Sequence, residues 1–327
     1  MSNYLVTGAA GFIGSRVSQL LIADGHTVIG IDNMNHAYDV RIKEFRLKFL
    51  LELEGFTFHQ KDISKWEEVK AIAESSPQID AVINLAARAG VRASTEDPWG
   101  FLASNTTGTL NMLEVCRHYS VPKIIQASTS SIYGANPPYP TPETANSDRP
   151  LQAYAASKKG AEALCHSYHH LFGVDVSILR FFTVYGPAGR PDLAMFRFVQ
   201  WITEGRTLHL NGDGEQSRGF TYLDDIARGI ILALKPLGYE VINLGGHEVI
   251  TINNLIALTE ELVGKKATIE THPWHPADMR QNWADVSKAR ELLGWEPRVG
   301  LREGMQSLVD WYNAEREWAH DIETGSL

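Results

Sequence analysis

The stretch Gly8-Ala9-Ala10-Gly11-Phe12-Ile13-Gly14 follows the apolar run Tyr4-Leu5-Val6 and opens a helical pattern over residues 12–24. Its spacing is GxxGxxG. Glycines at a strand-to-helix turn permit a tight reversal and let the backbone approach a pyrophosphate at the helix N-terminus. The next apolar run, Thr27-Val28-Ile29-Gly30-Ile31, leads into Asp32, 18 residues beyond Gly14. An acid there accepts both ribose hydroxyls of a dinucleotide and repels a 2′-phosphate. Asn33 follows it, not an arginine. The expected cofactor is NAD rather than NADP.

The same rhythm continues outward. Phe56-Thr57-Phe58, Ala81-Val82-Ile83, Lys123-Ile124-Ile125 and Val174-Asp175-Val176-Ser177-Ile178 recur between helical patterns. Short Val/Ile runs separated by helices predict a parallel sheet buried on both faces, hence a doubly wound, Rossmann-like α/β fold. The NAD-binding domain is expected over 1–186, with a return near 218–246 carried by Val241-Ile242-Asn243-Leu244. Pro187, Gly189, Pro191 and Asn211-Gly212-Asp213-Gly214 mark loops. They predict a smaller mixed α/β lobe over 187–327, interleaved with the first domain. Its part from 251 onward reads as mostly helical, with a loop at 273–276.

Composition narrows the function classes. The 327 residues are 44% hydrophobic and carry a net charge of −9. That is too apolar for a disordered chain and too acidic for nonspecific binding to nucleic acid or acidic membranes. Cys116 and Cys165 form no disulfide framework and lack metal-site spacing. Both are expected to be small core residues. His166, His169 and His170 cluster without a second ligand group, so no metal is expected. No basic leader and no window of about 18 apolar residues is seen. A soluble, cytoplasmic protein is expected.

The chemistry is carried by Tyr154-Ala155-Ala156-Ser157-Lys158, which sets a phenol and an ammonium at i and i+4 on one helical face. A nearby ammonium and an oxidised nicotinamide both favour the phenolate, whose ordinary pKa near 10 makes it a poor base. The fifth strand ends in Ala127-Ser128-Thr129-Ser130-Ser131-Ile132-Tyr133-Gly134. A hydroxyl at that strand end can bind an alcohol undergoing oxidation.

Taken together, the glycine turn, Asp32, the hydroxyl-rich strand end and YxxxK resemble the extended short-chain dehydrogenase/reductase superfamily over nearly the whole chain. Within it the sequence is most similar to the UDP-glucuronate 4-epimerases. Four segments carry that closer likeness: Asp32–Asp39 with the basic stretch to Arg46; Leu85–Arg92; Arg180–Pro187 with Arg190-Pro191-Asp192; and Arg218–Asp225. The resemblance implies that Thr129, Tyr154 and Lys158 are catalytic. It implies that Gly8, Gly11, Phe12, Ile13, Gly14, Asp32, Asn33, Asn35, Asp62, Ile63, Leu85, Ala86, Ala87 and Asn105 contact NAD, together with Tyr154 and Lys158. It also implies a diphosphate contact for Arg218 and a position near the uridine ribose for Asp278. Gly219 and Ala277 depart from the family pattern beside these two.

The implied cycle has Tyr154 take the proton of the sugar 4-OH, assisted by Thr129, while hydride leaves C4 for NAD. The keto sugar turns about its diphosphate link and is reduced on its other face. Related sugar dehydratases typically carry an acidic pair where Ser130-Ser131 stand, and uronate decarboxylases a Glu at Ser131. Hydroxyls alone predict epimerisation without elimination or decarboxylation. A β-keto acid loses carbon dioxide unless its carboxylate is restrained. Ser130, Ser131 and Thr183 are candidate neutral donors for that carboxylate. Arg190 is the first candidate cation and Arg92 the second. A neutral UDP-hexose or UDP-N-acetylhexosamine 4-epimerase, a UDP-uronate decarboxylase and a non-catalytic NAD-binding sensor remain as alternatives. Long helices over 99–118 and 154–171 match elements that pair as a four-helix bundle in this superfamily, so a homodimer is expected.

Overall fold

The computed structural model describes residues 1–246, 248–274 and 279–324. Seven strands form one sheet: β1 (Asn3–Thr7), β2 (Thr27–Asp32), β3 (Phe56–Gln60), β4 (Ala81–Asn84), β5 (Lys123–Thr129), β6 (Asp175–Phe181) and β7 (Tyr239–Leu244). Their order is β7-β6-β5-β4-β1-β2-β3, and every pairing is parallel. This is the doubly wound α/β architecture that the apolar runs predict. Every residue of β4 and β5 is buried, as befits central strands covered by helices on both faces. The order reverses direction between β1 and β4. A crevice opens there at the carboxyl ends of the strands, the usual ligand site of such sheets.

Apart from β7, the strands after β6 belong to the lobe that closes the crevice. Thr183–Tyr185, Ser217–Tyr222, Glu248–Thr251 and Gln281–Asn282 form a second sheet. Thr207–Asn211 and Thr268–His272 pair in parallel as a separate ribbon. The part beyond 251 is therefore less helical than expected. Thr268–His272 is mostly exposed and has no alternating apolar face, so nothing in its own sequence announces a strand. A second apolar core, built around Phe196, Trp201, Leu255 and Tyr312, supports this lobe.

The helical stretch over 99–118 is not one regular α-helix. Pro98–Leu102 and Gly108–His118 are joined by a π-helical turn at Ala103–Thr107. It packs beside the helix Ala153–Phe172.

Candidate active site

The crevice is a cleft of about 810 Å³ running from the glycine turn to the second lobe. At its first end, Gly8 has φ +68, and a Cβ there would lie 2.9 Å from the Ala86 amide nitrogen. Gly14 meets a different demand: a Cβ would drive into the Gly8 carbonyl oxygen. The turn is thus packed against both β4 and its own helix. No side chain caps the helix Phe12–Ala23, so the amides of its first turn are left for an anion. Asp32 is buried at the end of β2. Its carboxylate accepts from the Met34 amide at 2.9 Å and from Lys43 Nζ at 3.3 Å. Asn33 Nδ2 donates to Asp62 Oδ2 at 3.0 Å, tying the ends of β2 and β3. A backbone cradle that excludes side chains, beside a buried acid, fits a dinucleotide.

Two cations in this region escape a reading of the sequence. Lys43 and Arg46 lie on the helix Arg41–Leu51 yet are buried with Leu47 and Leu50. The i, i+3, i+4, i+7 spacing of these four positions is the available signal: cations occupy an inward stripe. Arg46 donates through Nη1 to the Ala10 carbonyl at 3.2 Å and to Tyr38 Oη at 3.0 Å. Its Nε and Nη2 reach the Ala188 carbonyl at 2.9 and 2.6 Å, and Nη2 also reaches Gly189 O at 3.3 Å. Ala188 has φ +51, unfavourable for a side chain with a Cβ. Arg46 holds that conformation and fastens it to the glycine turn.

At the middle of the cleft, β5 ends at Thr129, whose hydroxyl oxygen accepts the Ser131 amide at 3.2 Å. Tyr154 stands in the first turn of the helix Ala153–Phe172, with Lys158 one turn later. Lys158 is buried and donates to the Ala127 carbonyl at 3.1 Å. Burial pulls its ammonium down to about 8, against the opposing pull of the Glu162 carboxylate. Burial likewise pushes the Tyr154 phenol above its ordinary value, while the Thr129 hydroxyl and the Arg190 charge pull it partly back. Arg190 is thus a cation acting on the phenol that helical spacing, which points to Lys158, does not reveal.

At the third end, Arg190 faces Asp192 through two bonds, and its Nη2 also donates to the Ala89 carbonyl at 3.1 Å. Burial disfavours the Arg190 charge, and Asp192 more than compensates. Asn282 Nδ2, from the second sheet, donates to Ser130 Oγ at 3.2 Å. Thr183, Ser131, Arg92 and Arg218 also line the cleft, as does Arg197. Arg197 donates to the Thr324 carbonyl and was not anticipated from the sequence.

Of the anticipated site residues, Asn105 stands apart. It is buried in the π-helical turn and does not line the cleft. Its Oδ1 accepts the Arg88 amide at 2.9 Å, and its Nδ2 donates to the Arg88 carbonyl at 3.0 Å and to Ser157 Oγ at 2.9 Å. It joins the loop after β4 to the Tyr154 helix. Asp278 lies outside the described residues. The remaining anticipated positions converge on the one cleft.

Comparisons with known proteins agree with this layout. A UDP-glucuronate 4-epimerase from Thermodesulfobacterium geofontis is 54% identical over 313 residues, covering 95% of this chain and 96% of that protein. The crystal structure of UDP-glucuronic acid 4-epimerase from Bacillus cereus, in complex with UDP-glucuronic acid and NAD, superposes with a TM-score of 0.89 at 38% identity. The match covers 96% of this chain and 99% of that one. UDP-glucose 4-epimerase from Thermotoga maritima, with UDP-glucose, gives 0.86 at 32% identity and covers 96% and 99%. Residues 4–245, from the first strand of the sheet to the end of the last, match the pattern of one family. The chain belongs to the NAD dependent epimerase/dehydratase family.

Proposed function

We propose that this protein inverts C4 of a UDP-uronic acid, interconverting UDP-glucuronate and UDP-galacturonate without decarboxylation. The observation that carries the reading is the floor of the cleft: Thr129, Ser130 and Ser131 present hydroxyls and no acid, within one cleft with the half-buried Arg190. The 54% identical relative is a UDP-glucuronate 4-epimerase. Gly8, Gly11, Asp32 and Asn33 hold NAD, which when bound supplies the hydride acceptor and donor at the sugar carbon. Tyr154 takes the proton of the 4-hydroxyl and returns it after the sugar has turned. Thr129 hydrogen-bonds the same oxygen. Lys158 and Arg190 supply positive charge on which the phenolate depends. Ser130, Ser131, Thr183 and Arg190 restrain the C6 carboxylate, with Arg92 and Arg218 serving the remaining anionic groups. With hydroxyls at Ser130 and Ser131, the strand end lacks the acidic pair that related sugar dehydratases typically carry there.

The reading extends to assembly and place. Trp99 and Leu102 at one end of the paired helices, and Leu171 and Phe172 at the other, are exposed. A second copy related by a two-fold axis covers them, so light scattering should report a dimer; a monomer at micromolar concentration would exclude this pairing. Two buried, unbridged cysteines suit the reducing cytoplasm. Among the described residues, no helix is long and apolar enough to cross a membrane.

The deciding experiment is incubation of the purified protein with UDP-glucuronate, UDP-glucose and UDP-N-acetylglucosamine, followed by chromatography. UDP-galacturonate should form with no added NAD. Turnover of the neutral sugars alone, or release of carbon dioxide with a UDP-pentose as the main product, would overturn the assignment.

A further inference from the structure

The two-stranded ribbon at the far rim of the cleft places three side chains together for which the epimerase reaction has no use. Thr207–Asn211 and Thr268–His272 run in parallel, with His209 opposite Glu270 in the register. Side chains two apart on a strand share a face. Glu270, His272 and His209 therefore project from one side of the ribbon, while Leu208 and Leu210 are buried on the other.

On that face the ligand-type atoms converge. His209 Nδ1 lies 2.9 Å from His272 Nε2. Glu270 Oε2 lies 3.7 Å from His209 Nδ1, and Glu270 Oε1 lies 3.6 Å from His272 Nε2. Three ligand atoms on a tetrahedral ion with bonds of about 2.1 Å stand ~3.4 Å from one another. The nitrogen–nitrogen separation lies below that value and the two nitrogen–oxygen separations lie slightly above it, so small side-chain rotations bring the three groups onto one ion. In the absence of an ion, two imidazoles sharing one close nitrogen contact need one donor and one acceptor, and a carboxylate beside them adds a negative charge. Two imidazole nitrogens and a carboxylate oxygen suit a borderline cation, and they leave a fourth position toward solvent. Among the described residues, no other group of three such side chains is gathered so closely.

We propose that His209, Glu270 and His272 bind one divalent transition-metal ion of the zinc class. The ion bolts together two strands held side by side only as a two-membered ribbon. His209 also lines the cleft, with Trp201 edge-on at 5.8 Å between ring centres. The ion therefore fixes part of the wall at the lobe end of the cleft.

The test uses the purified protein with its retained cofactor, treated with chelator, desalted and titrated with Co²⁺ and then Zn²⁺. A visible absorption of tetrahedral cobalt that saturates at one ion per chain, and that Zn²⁺ abolishes, is expected. His272→Ala and Glu270→Gln should each weaken binding at least about tenfold. His166→Ala, on the distant Tyr154 helix, should leave it unchanged. Glu270 is more than half exposed, so its amide variant keeps the test open if the histidine variant fails to fold. No saturable binding, or binding unchanged in Glu270→Gln, would overturn the proposal, as would loss of binding in His166→Ala. None of these readouts depends on the sugar that the enzyme turns over.

Discussion

Arg190 Nε lies 3.0 Å from Asp192 Oδ1 and Arg190 Nη2 lies 2.5 Å from Asp192 Oδ2, so the guanidinium in the sugar end of the cleft is already paired within the protein. In the proposed reading, a uronate carboxylate meets a cation whose charge is shared. Asp192, itself held below the usual carboxylate range because Arg190 outweighs its burial, turns repulsive toward that carboxylate when Arg190 is removed. Arg190→Ala should weaken UDP-glucuronate binding roughly 10- to 150-fold, the scale of a lost charge-assisted bond. UDP-glucose should lose much less. Adding Asp192→Ala should restore part of the loss for the acidic sugar. Calorimetric titration with both sugars decides this: equal losses would assign Arg190 to the diphosphate or to the fold.

Tyr154→Phe keeps the ring and its edge contact with Phe101 but removes the hydroxyl proposed to exchange the proton. Turnover should fall at least about a hundredfold with little change in substrate affinity. Substrate binding by the variant and product formation under saturation separate the two effects. Near-normal turnover would remove Tyr154 from the proton path.

The lowered Lys158 has a consequence for stability. Its ordinary value is 10.5 and burial brings it to about 8. Between those values the unfolded chain binds more protons than the folded one, so stability rises with pH across the window. The cost of burying the ammonium is felt in full below about pH 8 and fades toward 10.5. Urea unfolding of the cofactor-stripped protein should show this rise, and Lys158→Met should flatten it. Parallel slopes in the two proteins would mean that Lys158 stays charged in the fold.

Arg46→Met leaves the carbonyls of Ala10, Ala188 and Gly189 without their guanidinium donor in a buried setting. Unsatisfied buried acceptors cost about 1–3 kcal/mol each, and partial relaxation should bring the total to about 2–4 kcal/mol. The same variant should release NAD more readily on gel filtration and bind UDP-glucuronate less tightly. If stability fell while both ligands bound normally, Arg46 would serve the fold alone.

The strands, the glycine turn and the Tyr154–Lys158 pair were legible because each is a local pattern: an apolar run, a steric requirement, a helical spacing. What the sequence hides is pairing across distance. The stretch up to Arg46 shows in the sequence only as basic, yet Arg46 is buried because its partners are carbonyls supplied by residues 10, 188 and 189. Asn105 shares that difficulty. Its residue type marks a polar site, but only the folded arrangement shows that it spends its amide on Arg88 and Ser157. Asp192 sits two residues from Arg190 in plain view. The distance between them becomes informative only when the turn after Pro187 brings them face to face.

The π-helical turn at Ala103–Thr107 sets an angular phase. One residue more than an α-helical turn rotates everything on one side of it by about 100° relative to the other. Trp99 and Leu102 point outward before it, Ser104 lines the cleft and Asn105 turns inward within it, and Met112, Leu113 and Cys116 reach the core after it. Deleting a single residue from this turn would return the helix to uniform winding. No azimuth would then satisfy all of these directions together, so the outer helix surface and the loop that Asn105 holds at Arg88 would lose their alignment in the same stroke.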